Sequence, residues 1–143
     1  MKIFMNIAFN LSVACYALYA ILSLAFGVIY LTRRQFMPYH REALGVPWSE
    51  VDPRTQTLIL ALMRVAGGGW LAAGASVALL LIFPFLGGEL WSLYALPAVG
   101  LLIALPSLYA TILVRARTGA HPPVAAGAVG VALLVAGFVL SFY

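Results

Sequence analysis

The sequence predicts an all-α integral membrane protein: a four-helix bundle with a short interfacial helix in its first cytoplasmic linker. Three observations carry this fold class. Of 143 residues, 64% are hydrophobic and only 8% charged, with a mean hydropathy of +1.05, whereas a soluble domain carries about 25% charged residues. The apolar runs are continuous rather than alternating, which selects helices over a barrel as the way to satisfy backbone hydrogen bonds in lipid. Four runs reach the roughly 20 residues that a span needs, at 7–31, 58–83, 90–114 and 123–142. All linkers are short except 32–57, so residues 1–143 read as a single transmembrane domain.

The first run is longer than the roughly 7–15 residues of a signal-peptide core, and Arg33 and Arg34 follow it like a stop-transfer flank. Tyr16, Tyr19 and Ser23 lie on a loose face of this helix and can donate hydrogen bonds to neighbouring helices. Tyr30 falls at its cytoplasmic end, where an aromatic belt residue belongs.

The linker 32–57 interleaves Phe36, Met37, Tyr39, Leu44, Val46 and Trp48 with charges, which suits a segment lying at head-group depth. Pro38 is placed to open a helix of about two turns that ends at Gly45. Tyr39, His40, Arg41 and Trp48 of this linker, together with Arg64, are the candidate lipid- or ligand-contacting residues. Asp52-Pro53 then reads as an N-cap followed by a first-turn proline, so the second long helix is expected to begin at Pro53.

Arg64 stands out. It interrupts an otherwise apolar run, and a cation in hydrocarbon costs roughly 2.5–3.5 kcal/mol on insertion scales. It lies about 16 Å along its helix, a depth from which its side chain can snorkel to the cytoplasmic side. The alternatives are a cation facing a pocket between the second and third spans, or one bound to free backbone carbonyls. Glu42, Glu50 and Asp52 lie on the same side and are available to fold over it. Gly67, Gly68 and Gly69 follow within a turn, and Ala73 and Gly74 extend a surface of small residues suited to close helix packing. Ala126, Gly130 and Gly137 give the last helix a similar face.

Pro84, Gly87 and Gly88 turn the chain on the outer side. Pro97 and Pro106 are expected to kink or locally unwind the third span, with Ser92, Ser107 and Thr111 bonding the freed carbonyls. His121-Pro122-Pro123 forms a stiff entry to the last helix.

The net charge is +4. Arg33, Arg34, Arg41, Arg54, Arg115 and Arg117 occupy the first and third linkers, while the N-terminal tail carries only Lys2. The positive-inside rule therefore puts 32–57 and 115–122 in the cytoplasm and both termini outside. Anchoring to membrane lipids accounts for these cations without nucleic acid. Cys15 is the single cysteine, which excludes an intrachain disulfide and a Cys-x-x-Cys site. His40 and His121 both fall in linkers, and a zinc site needs three or four ligands. No metal or cofactor is expected, nor is catalysis by the chain alone, since no nucleophile–base pair is visible.

The run Arg64-Val-Ala-Gly-Gly-Gly-Trp-Leu-Ala-Ala-Gly74, in a four-span chain of this length, resembles the DoxX-like group of small bacterial membrane proteins. The match covers about a dozen residues plus topology, and Met37-Pro-Tyr-His40 is not part of that pattern. The resemblance implies the bacterial inner membrane and an accessory role, some of the group being similar to subunits of quinone-using oxidoreductases. Two functions are therefore carried forward. One is an accessory subunit or homo-oligomer held by its glycine and alanine faces. The other is a binding or transport module holding an anionic head group or a quinone-like molecule at Arg64.

Overall fold

The computed structural model describes the backbone from Lys2 to Tyr143 and the side chains from Ile7 onward; the side chain of Lys2 lies outside the described residues. The fold is all-helical: α1 (Lys2–Thr32), α2 (Pro38–Leu44), a 3₁₀ turn (Trp48–Glu50), α3 (Pro53–Leu80, continued by a π turn Leu81–Phe85), α4 (Ser92–Thr118) and α5 (Val124–Leu140). Three stretches, Ile7–Thr32, Pro53–Phe85 and Ser92–Thr118, are long and apolar enough to cross a membrane. α5 is equally apolar but has 17 residues, three fewer than the run 123–142, because Pro122 and Pro123 delay its start and the chain leaves the helix at Ser141.

Local chemistry sets the boundaries. Pro38 opens α2, and Gly45 closes it at φ 72°, a left-handed conformation that favours glycine. The Asp52 carboxylate accepts from the Arg54 and Thr55 amides at 3.1 Å each, and Pro53 occupies the first helical position, so α3 starts where the capping pattern places it. These amides hold the Asp52 carboxyl below its ordinary range, the contacts of Thr55 contributing most. At the far end of α3, Pro84 has no N–H to give. The helix widens into a π turn in which Leu86 N–H donates to Leu81 C=O and Glu89 N–H to Pro84 C=O.

α4 is not unwound at its prolines. It remains continuous through Pro97 and Pro106. The Ser92 hydroxyl donates to Glu89 C=O and that of Thr111 to Leu108 C=O, not to the carbonyls four residues before each proline.

The four long helices close a ring in which α1 contacts α3 and α5, and α4 contacts the same two. Three hydroxyls of α1 fasten it to the other three helices. Ser23 donates to Trp70 C=O of α3 at 2.7 Å, Tyr19 to Gly100 C=O of α4 at 2.8 Å, and Ser12 to Gly137 C=O of α5 at 2.7 Å. The α1–α3 seam is the closest approach. A Cβ on Gly67 would sit 2.9 Å from the Gly27 carbonyl oxygen, and one on Gly74 would sit 3.0 Å from the Leu24 amide nitrogen. Tyr16, Tyr19, Val77, Leu81, Phe85, Leu96 and Leu134 fill the ring toward the α3–α4 turn.

The outward faces are apolar, with Leu102 76%, Val65 75% and Phe83 68% exposed among many others. So much exposed hydrocarbon identifies a protein whose solvent is lipid. The linker between α1 and α3 packs as a cap on one end of the ring. Phe36 and Val51 bury against Met63, and the Gln56 amide donates to Trp48 C=O and Val51 C=O. The α4–α5 loop lies at the same end, since Glu42 of α2 accepts from both the amide and Nδ1 of His121. Both arginine-bearing linkers therefore share one end of the molecule.

Candidate functional site

The ring is packed unevenly. Its linker end is lined by Ala66 of α3, Ser107 and Ala110 of α4, and Ala126, Gly127 and Gly130 of α5, too little side chain to fill it. A cavity of about 230 Å³ remains. Tyr19, Ser23, Phe26 and Tyr30 of α1 form its opposite wall, at the i, i+4, i+7, i+11 spacing that holds residues on one helix face. Phe26 of this wall and Trp70 of α3 lie with ring centroids 5.9 Å apart and planes tilted by 33°, an aromatic corner of the cavity.

Tyr39 of α2 covers the linker end of the cavity, and its hydroxyl meets that of Tyr30 at 2.6 Å. Burial, and then the Tyr30 hydroxyl, push the Tyr39 phenol above its ordinary value, so Tyr39 is neutral at physiological pH. In such a pair one hydroxyl donates to the other, and the accepting hydroxyl keeps its own proton for a further acceptor. The cavity thus combines apolar walls with a proton donor at one end. Tyr30 lines both this cavity and a second one of about 380 Å³ that is also lined by His40, Leu62, Met63 and Val114.

His40 is held by its surroundings. Its Nδ1 accepts from the Met37 amide at 3.3 Å, its ring stands edge-on to Tyr39, and burial lowers its pKa. It is a neutral imidazole whose hydrogen bond secures the first turn of α2. Arg41 and Trp48 line a third hollow, within the linker itself.

Arg64 lies elsewhere. Its side chain is exposed on the outer face of α3, lines none of these three cavities, and makes no hydrogen bond or ion pair among the described residues. The acidic lid over it does not form: Glu42 bonds His121 and Asp52 caps α3.

The small residues also separate. Gly67, Ala73 and Gly74 are buried within α3, with Gly67 and Gly74 against α1. Gly69 faces Ile103 of α4. Gly137 lies under the Tyr16 ring and Gly130 beside that of Tyr19, while Ala126 faces the cavity. Gly68 meets nothing within 4 Å, so it packs no helix of this chain. The reason is geometric: successive helical residues point about 100° apart, and three consecutive glycines cannot share one neighbour.

No protein-family model, curated protein or solved structure matches this chain.

Among the described residues, no three His, Cys, Asp or Glu side chains come together as metal ligands. The groups the cavity offers are hydroxyl donors, rings and methyls.

Proposed function

We propose that this chain is a four-span membrane bundle that binds a small lipophilic molecule carrying a hydrogen-bond acceptor, a quinone-like ring being the best fit, in the cavity beneath Tyr39. The observation that carries the reading is the Tyr30–Tyr39 hydroxyl pair at the end of a mainly apolar chamber. Size narrows the class. A cavity of about 150 Å³ holds benzene, so about 230 Å³ takes one substituted ring and leaves a tail to run out between helices. A carbonyl on that ring would accept the free phenol proton, and the Phe26–Trp70 corner would support its face. In this reading the site is the tyrosine chamber and not Arg64. α2 lies in the interface on the cytoplasmic side, both termini lie outside, and the protein acts in a bacterial cytoplasmic membrane by binding rather than by catalysis.

The test uses the whole chain in neutral detergent and a short-chain benzoquinone, with tryptophan fluorescence as readout. Saturable quenching is expected, lost in Trp70→Phe and weakened roughly tenfold in Tyr30→Phe/Tyr39→Phe. Quenching that is linear in quinone, or saturable but indifferent to both variants, would overturn the reading.

A second reading, an accessory subunit or homo-oligomer, is supported by one face of α3. Ala61, Gly68 and Ala75, spaced seven residues apart, are all exposed there beside Arg64. A stripe so low in bulk admits a neighbouring helix closely. Mass measurement in a mild detergent tests it: Gly68→Leu is expected to dissociate an assembly, and a wild-type particle of single-chain mass would count against it.

A further inference from the structure

The linker that caps the ring encloses a hollow of its own, of about 770 Å³, unlike the chamber in being half polar. It exists because the chain leaves α1 at Thr32, turns through α2, reverses at the left-handed Gly45 and returns by the 3₁₀ turn at Trp48. Phe36 and Trp48, edge to face at 4.9 Å, form one wall. Arg33, just past the end of α1, and Arg41, in the last turn of α2, bring guanidinium groups to it.

Neither arginine has a carboxylate partner among the described residues. The one acidic side chain on the rim, Glu42, is engaged by the amide and the ring of His121, and these contacts hold its carboxyl below the ordinary range. The hollow therefore holds two guanidinium groups against a single carboxylate, a net positive charge beside an aromatic wall, at the point where a spanning helix ends.

We propose that this hollow binds a phosphate group, with Arg33 and Arg41 as its clamp and the headgroup of an anionic phospholipid as its source. Guanidinium is the side chain best matched to phosphate, giving two parallel N–H···O bonds. The Ser49 hydroxyl, also on the lining, supplies a further donor. The depth is right for a headgroup rather than for an acyl chain, because the spanning part of α1 ends immediately before Arg33.

The test uses the full chain in neutral detergent with two probes, dioctanoyl-phosphatidylglycerol and inorganic phosphate. Dioctanoyl-phosphatidylcholine is the zwitterionic reference, and thermal stability and tryptophan emission are the readouts. The expected result is saturable stabilisation by phosphatidylglycerol, weakened about tenfold in Arg33→Gln/Arg41→Gln and unchanged in Arg117→Gln, which removes a cation at the same end but outside the hollow. The single variants Arg33→Gln and Arg41→Gln each give a smaller loss and serve if the double variant does not fold. Saturation by inorganic phosphate with the same dependence on the arginines also supports the site and makes its source a soluble phosphate. Equal stabilisation by all three probes, no saturable response to any, or equal loss in Arg117→Gln, would overturn it.

Discussion

Replacing Gly67 and its neighbour Gly68 with alanine separates two accounts of the glycine run. A Cβ on Gly67 would lie 2.9 Å from the Gly27 carbonyl oxygen, and 3.0 Å from both Leu31 Cγ and Tyr30 Cβ, where ordinary contact begins at 3.4 Å. The nearest obstacle is backbone, which cannot rotate aside. To restore contact distance the α1–α3 seam must open by about half an ångström, and dispersion falls steeply over such a gap. The seam is tight elsewhere too, with Gly74 against Leu24 and Gly27 against Leu71, so opening it at one point loosens several contacts. Overpacking of this kind costs about 1–3 kcal/mol. Gly68→Ala meets open space and gains up to about 1 kcal/mol of helix propensity. The two variants, one residue apart, are therefore expected to move thermal stability in opposite directions when purified chains are melted in the same mild detergent. Equal shifts, or a stabilised Gly67→Ala, would refute the close seam.

Three further outcomes are expected. Tyr16→Phe removes a fully buried hydroxyl that meets no acceptor among the described residues, so thermal stability should hold or rise, whereas Tyr19→Phe breaks the bond to Gly100 and should cost about 1 kcal/mol. Acidification should weaken the fold in two stages. Burial lowers the His40 pKa, so its contribution is intact above the ordinary 6.5 and is lost as pH falls below that value; the depressed Glu42 carboxyl contributes above its ordinary 4.5 and is lost as pH falls through its lower folded value. Melting in steps from pH 8 to pH 3 should show His40→Gln flattening the first stage and Glu42→Gln reducing the second, the remainder belonging to the likewise depressed Asp52 carboxyl. Arg64→Leu should leave stability within about 0.5 kcal/mol and quinone quenching unchanged, because the side chain meets neither the ring interior nor a cavity; lost quenching would return Arg64 to the site.

The features legible in the sequence were the local ones. Asp52-Pro53 and the Pro38 to Gly45 frame announce their helix ends because a cap needs only residues a few positions apart. The long apolar runs declare their helices for the same reason. The chamber was not legible, since it depends on Ala66, Ser107 and Gly130 converging from three separate helices. Part of its wall did leave a mark: Tyr19, Ser23, Phe26 and Tyr30 share one face, a pattern hidden when Tyr30 is read only by its nearness to the helix end. Arg64 shows the opposite hazard. A lone charge in an apolar run is conspicuous, but its rotation about the helix axis, which sequence contrast does not encode, decides whether it meets a cavity or lipid.

The three hydroxyl bonds along α1 also carry a chronology. Ser23, Tyr19 and Ser12 find their acceptors 47, 81 and 125 residues downstream, on α3, α4 and α5 in turn. Position along α1 and order of synthesis thus run together: the bond nearest the linker can close first and the one farthest from it last. At roughly 5–20 residues per second of translation, Ser12 waits several seconds after Ser23 has been satisfied. α1 is a template whose polar teeth are engaged one at a time as each helix leaves the ribosome, and a chain truncated before α5 would leave just the last tooth open.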